Sequence, residues 1–99
     1  MPSFVMIGRD GPDGRERRKT VRPAHLEHMQ RLHDAGCVRF GGPLLTDDGA
    51  PCGSVIIIDA DDLEAARAVA ESDPYVRDGV FGSYELFETR QVFPPTDES

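Results

Sequence analysis

Three histidines, a few placed carboxylates and one serine are the side chains here whose types suit acid–base or nucleophilic chemistry. His25, His28 and His33 share one stretch, Val21 to Ala35, that reads as a helix. By i, i+3 and i+4 spacing, Leu26, Met29, Leu32 and His33 form its apolar stripe, which makes His33 a packed histidine and turns His28 toward solvent. Pro23 suits a first helical turn, where its missing N–H is not needed. His25 then lies in that turn at the border of the stripe. The positive end of the helix dipole favours a neutral imidazole there, the form a general base needs. Asp73 stands before Pro74, where a second helix stops. It is either a simple terminator or a carboxylate aimed at His25, orienting the ring and stabilising its protonated form. Spacing alone leaves both readings open.

Other chemistries lack their patterns. No G-x-S-x-G elbow surrounds Ser54, which argues against a serine hydrolase. Gly41-Gly42-Pro43 is not a phosphate loop, because no G-x-x-x-x-G-K-[ST] run exists. Cys37 and Cys52 form no CxxC or Cys/His ligand set, which argues against a structural zinc site. The expectation is therefore side-chain chemistry with no cofactor and no metal. Arg22 is placed to attract an anionic or phenolate substrate, with Ser54 and Tyr75 as further substrate-binding candidates.

Positioning these groups falls to a small set of elements. Ser3 to Gly8 is a continuous apolar run that reads as a strand buried on both faces. Arg9 to Lys19 is polar and rich in glycine and proline, hence a loop with at most one helical turn near its end. After the helix, Gly36 is a natural stop. Cys37 to Leu45 reads as an edge strand, because Pro43 would remove a ladder hydrogen bond from a central one. Thr46 to Gly53 is a hairpin tip, and Ser54 to Asp59, β-branched throughout its core, is a central strand. Asp61 to Ser72 is a helix with Asp61 as cap, Glu64 three residues on, and Leu63, Ala66, Val69 and Ala70 as its stripe. Val80 to Glu88 is the last strand, and Gln91 to Ser99 is a polar tail that frays.

The order β-α-β-β-α-β is the ferredoxin-like arrangement, an α+β fold with a four-stranded antiparallel sheet in which strands one and three are central. A tip near Asp48-Gly49 sets Leu45 opposite Cys52 and Cys37 opposite Ala60, so the cysteines lie about eight strand residues apart and stay free thiols. Both central strands are apolar on alternate residues of either face. With both helices on one side, the other apolar face needs a cover, and a homodimer is the simplest.

A chain of 99 residues forms one domain, here residues 1–90 followed by the tail 91–99. The N-terminus lacks the basic and long apolar stretches of a signal peptide, and no apolar run reaches a membrane span, so the expected location is the cytoplasm. The net charge of −7 argues against nucleic acid and anionic membranes as partners. The charge is uneven. Arg15, Arg17, Arg18, Lys19 and Arg22 against Glu16 give residues 15–22 a net +4, which leaves −11 on the rest. That basic run is either a solvated, mobile loop or an anion-collecting rim near a site.

Several short pieces, taken in order, resemble the YciI family of YCII-related proteins: Asp10-Gly-Pro-Asp13, Val21-Arg-Pro-Ala-His25, Leu32-His-Asp-Ala-Gly36, Gly41-Gly-Pro-Leu44, Gly53-Ser54 and Asp73-Pro-Tyr-Val76 followed by Gly79-Val80. The combination of R-P-x-H, G-G-P-L and D-P-Y is specific, and the pieces span residues 4 to about 88. The resemblance implies a ferredoxin-like fold assembled as a dimeric α-β barrel. It also implies an active site built on a His–Asp dyad, with the R-P-x-H histidine as His25 and the D-P-Y aspartate as Asp73. One relative of that family eliminates chloride from a chlorinated hydroxyquinol with such a dyad and no cofactor. Two functions follow: a cofactor-free enzyme for elimination, dehalogenation or isomerisation, or a non-catalytic small-molecule-binding or accessory dimer.

Overall fold

The computed structural model describes residues 1–95. Its elements are β1 (Ser3–Asp10), α1 (Gly14–Asp34), β2 (Val38–Leu45), β3 (Pro51–Asp59), α2 (Leu63–Ser72), a short α3 (Pro74–Arg77) and β4 (Phe81–Thr89). All strand pairs are antiparallel, and the sheet order is β2-β3-β1-β4, the ferredoxin-like arrangement. β1 and β3 are central and β2, with Pro43, is an edge strand, as their composition predicts. The tail expected to fray lies partly outside the described residues; its residues 91–95 are exposed and form no helix or strand.

The helices cover one sheet face. Phe4 and Met6 of β1 and Ile56 and Ile58 of β3 point into the core, with Ala66 and Ala70 of α2, Tyr75, Val80 and Phe81. The alternate residues Val5, Ile7, Val55 and Ile57 lie on the other face and are half-buried. Phe40 pairs with Ile57 and Phe87 with Val5 on that same face, and both aromatic rings are about half exposed.

The hairpin register agrees with expectation through its middle, from Phe40 opposite Ile57 to Leu44 opposite Gly53. Irregularities at both ends move it by one residue, to Val38 opposite Ile58 and Leu45 opposite Pro51. Both cysteines are free.

Three local expectations need correction. The segment read as a loop is helical from Gly14, so α1 runs 21 residues and Pro23 sits inside it, not in its first turn. The helix is extended by tertiary locks that local propensity does not register. A Cβ at Gly14 would sit 2.6 Å from the Val80 carbonyl oxygen and 2.7 Å from Asp10 Cβ, so only glycine lets the helix start pack here. Arg18 then ties the first turns to β1 through Asp10. The helix still stops as expected, with Gly36 in the left-handed region at φ +77°. Second, the stripe of α1 is rotated from the expected one. The sheet-facing residues are Gly14, Arg18, Val21, His25, His28, Met29 and Leu32, whereas Leu26 and His33 are exposed. Third, α2 is capped by Asp62, not Asp61: its carboxylate accepts the Ala65 N–H at 2.8 Å, and Leu63 is exposed.

Candidate active site

The sheet-facing stripe of α1 spaces Arg18, His25 and His28 by seven and three residues, so all three polar side chains enter the layer between helix and sheet. Burying such groups is unfavourable unless each finds a partner, and those of Arg18 and His25 come from other elements. Asp73 is the residue shared by α2 and α3: it closes the first and caps the second, its carboxylate accepting the Tyr75 N–H at 2.9 Å. Pro74 at the first position of α3 fixes this corner.

The same Asp73 oxygen lies 2.8 Å from His25 Nδ1. Asp73 is 1% exposed and the His25 side chain 12%. An ionised carboxylate only accepts hydrogen bonds, so Nδ1 donates, and in a neutral ring the lone pair is then on Nε2. The structure thus joins the two residues that spacing left as candidates, although His25 stands mid-helix and the helix-start argument for its neutrality does not apply. Tyr75 follows directly: its ring stacks on the imidazole with centroids 3.8 Å apart and planes 3° from parallel. Phe81 meets Tyr75 edge-on at 5.6 Å and holds it from behind.

Arg18, part of the basic run at residues 15–22, also borders this region. Its Nε and Nη2 bind the two Asp10 oxygens at 2.7 and 2.9 Å. Nη2 also donates to the Gly53 carbonyl at 2.9 Å and to Ser54 Oγ at 3.3 Å. Its guanidinium carbon lies 4.9 Å from the Tyr75 ring centroid, within cation–π range. Burial pulls the Arg18 pKa down, but the hydrogen bond and charge of Asp10 outweigh it, so the group is a permanent cation. Burial pushes the Tyr75 phenol up against the opposing pull of Arg18 and Arg22, keeping it protonated. Asp10 stands at the end of an apolar strand, but Arg18 carries no such signal, because a cation within a basic run reads as solvated.

His28, expected in solvent, is buried beneath the dyad in a mainly apolar surround of Met6, Ile56, Ile58 and Leu86. Burial lowers its pKa; the Asp73 charge opposes this, and His25 and Arg31 add to it.

Above these groups lies a cleft of about 360 Å³, lined by Arg18, Arg22, His25, Ser54 and Tyr75 together with Leu26, Met29, Ile56 and the Gly41–Pro43 stretch of β2. Every site residue expected from sequence therefore borders one space except Asp73, which stands behind His25. Among the described residues no three His, Cys, Asp or Glu side chains gather as metal ligands, and no helix is long and apolar enough to cross a membrane.

Comparison with known proteins agrees with this architecture. The pattern of the YCII-related domain matches residues 3–90. Protein YciI of Escherichia coli is 40% identical over 96 residues, covering 91% of this chain and 98% of the relative. The protein named Derivative of benzaldehyde biosynthesis cluster protein C, from Emericella nidulans, is 41% identical over 71 residues, covering 65% of this chain and 72% of that protein. Among solved structures, 5-chloro-2-hydroxyhydroquinone dehydrochlorinase from Burkholderia phenoliruptrix, in complex with 2,5-dihydroxybenzoquinone, superposes with a TM-score of 0.81 at 24% identity, covering 95% of this chain and 99% of that one. The chain belongs to the YCII-related domain family.

Proposed function

As the premise for its chemistry, we take that family membership together with the buried dyad, and we propose that the protein is a small acid–base enzyme acting on an anionic or phenolic substrate. The observation that carries this reading is the 2.8 Å contact between His25 Nδ1 and a fully buried Asp73 at the wall of a cleft that also holds Arg22 and Arg18. Asp73 fixes the ring and stabilises the imidazolium. Nε2 takes a proton from an acidic O–H or C–H conjugated to a leaving group, and that group departs with its bonding pair, so the substrate loses the elements of an acid H–X. Where no leaving group is present, return of the proton at a second atom makes the step an isomerisation. Side chains carry all of this without a cofactor. The dehydrochlorinase of the same fold, by its name, removes chloride from a chlorinated hydroxyquinol, which supports elimination as the first reaction to test.

The assay is chloride release from 5-chloro-2-hydroxyhydroquinone and a panel of chlorinated phenols, with the Asp73→Asn variant beside the parent. Turnover by the parent that falls at least a hundredfold in the variant supports the reading. Saturable binding without turnover across the panel assigns the cleft to a ligand-binding module instead.

The proposed assembly is a homodimer closed over the outer sheet face, where Val5, Ile7, Val55, Ile57, Phe40 and Phe87 lie unpartnered. Light scattering at micromolar concentration then reports twice the chain mass, and a stable monomer refutes it. Two free thiols suit a cytoplasmic location.

A further inference from the structure

Arg18 is bound on one edge and open on the other. Nε and Nη2 form the guanidinium edge that would bind a carboxylate through two parallel bonds, and that edge is fully engaged by Asp10, Gly53 and Ser54. Nη1 makes no hydrogen bond within the described residues, yet Arg18 borders the cleft. Ser54 stands in the same condition. Its oxygen accepts from Arg18, an arginine cannot accept in return, and the hydroxyl proton has no acceptor among the described residues, although Ser54 is buried and borders the cleft. Two residues with unused donor capacity, one charged and one neutral, thus border the cleft that His25 borders.

We propose that Arg18 Nη1 and the Ser54 hydroxyl form an oxyanion pocket that selects a single-oxygen anion, a phenolate, over a carboxylate. The proposal rests on the acid–base reading of the same cleft and names its substrate class. A carboxylate seeks a two-pronged edge, and both such edges of this guanidinium use Nη2, whose two protons are spent on Asp10 and on Gly53. The Nη1 amino group and one O–H suit one oxygen, as donors do that stabilise charge developing in a transition state. The pair is held before any ligand arrives: the Arg18 and Asp10 side chains are only 12% and 10% exposed, and the ladder between β1 and β3 fixes Ser54 opposite Gly8. The Tyr75 phenol, protonated and close to Arg18, adds no competing negative charge. When His25 withdraws a proton from a phenolic substrate, the negative charge left on oxygen meets these donors and not water.

The test reads capture, not turnover. 4-Nitrophenol changes colour on ionisation, and wild-type protein is expected to hold it as the phenolate at a pH where the free compound is still mostly neutral. Ser54→Ala, which leaves the Arg18–Asp10 pair untouched, weakens phenolate binding about tenfold and returns the bound compound toward its free ionisation, the loss expected for one hydrogen bond to a charged group. Benzoate at equal concentration fails to displace the phenolate. Wild-type protein that captures the phenolate yet releases no chloride from the panel sinks the acid–base reading and leaves the pocket standing, so a failure there is distinguishable from a failure here. The proposal is overturned if wild-type protein captures no phenolate, if Ser54→Ala leaves affinity and ionisation unchanged, or if benzoate binds as tightly.

Discussion

The two long helices cover the same sheet face with opposite materials. α2 presents Ala65, Ala66, Val69 and Ala70, small apolar side chains that let it lie close to the strands. α1 presents Arg18, His25 and His28 among Val21, Met29 and Leu32. A helix that exists only to bury surface follows the first pattern, because each polar group taken from water needs a dedicated partner. The partners of Arg18 and His25 lie on other elements: Asp10 on β1, Gly53 and Ser54 on β3, Asp73 at the corner between α2 and α3. α2 therefore supplies stability and the corner, while α1 carries Arg18 and His25, which line the cleft.

The sharpest way to break this division is at the dyad. Asp73→Asn is expected to lower turnover by about 10²–10⁴-fold, the range for a disrupted general base. An asparagine can offer an N–H to Nδ1 and reverse the ring's tautomer, which ¹⁵N shifts of the imidazole read directly. An unchanged tautomer with unchanged turnover removes His25 from the chemistry.

Next in size is the tie between α1 and β1. Asp10→Asn leaves the Arg18 guanidinium without its counter-charge, and the expected loss is about 2–3 kcal/mol in urea unfolding, below the figure for a fully buried pair because both side chains keep some contact with water. Stability within 0.5 kcal/mol or so of the parent would mean that other contacts hold the helix start.

On α2 the effect should be smaller and of another kind. Ala66 is completely buried, so Ala66→Val overpacks the interface by about 1–2 kcal/mol, seen as a lower Tm, while turnover per folded molecule stays within about twofold. A large loss of turnover without loss of Tm would contradict the division between the helices.

The smallest expected effect is the pH response of His28. Its folded pKa is lowered, chiefly by burial. The unfolded chain therefore binds the proton more readily than the folded one, and stability falls as pH drops through the ordinary histidine value of about 6.5, levelling once the folded pKa is passed. Above about pH 7.5 both states are neutral and the contribution vanishes. His28→Leu should flatten that part of a Tm–pH profile, and a profile identical to the parent's refutes the assignment.

These two helices also divide what was legible in the sequence. β1 and β3 announce themselves by unbroken apolar runs, and from them the sheet order and the unpartnered face follow. α2 has a clean stripe, misread only at Leu63 and at which aspartate caps it. The stripe of α1 was misread because three of its inward positions hold charged or titratable side chains, which makes the exposed Leu26 look like the better core residue. Pro23 reinforced the error, since proline marks a first turn far more often than a helix interior. What locks α1 in place, Gly14 against Val80 and Arg18 against Asp10, is long-range or crosses a turn and leaves no periodic trace. The closeness of His25 and Asp73 was expected from their local settings and the family's pieces. The arginine beside them was not, because a cation within a basic run reads as solvated.

Arg18 and His25 stand seven residues apart on α1, each held by a carboxylate on a different element. Seven residues make almost two whole turns, so both side chains leave the helix in nearly the same direction. One residue added or lost between them would swing His25 by about 100° about the axis relative to Arg18, and only one of the two could then reach its carboxylate. The segment from Lys19 to Ala24 is therefore intolerant of any change in length, whatever its composition. The exposed hairpin turn at Asp47–Gly49 carries no such constraint, and it is there that the chain can grow or shrink while the cleft keeps its shape.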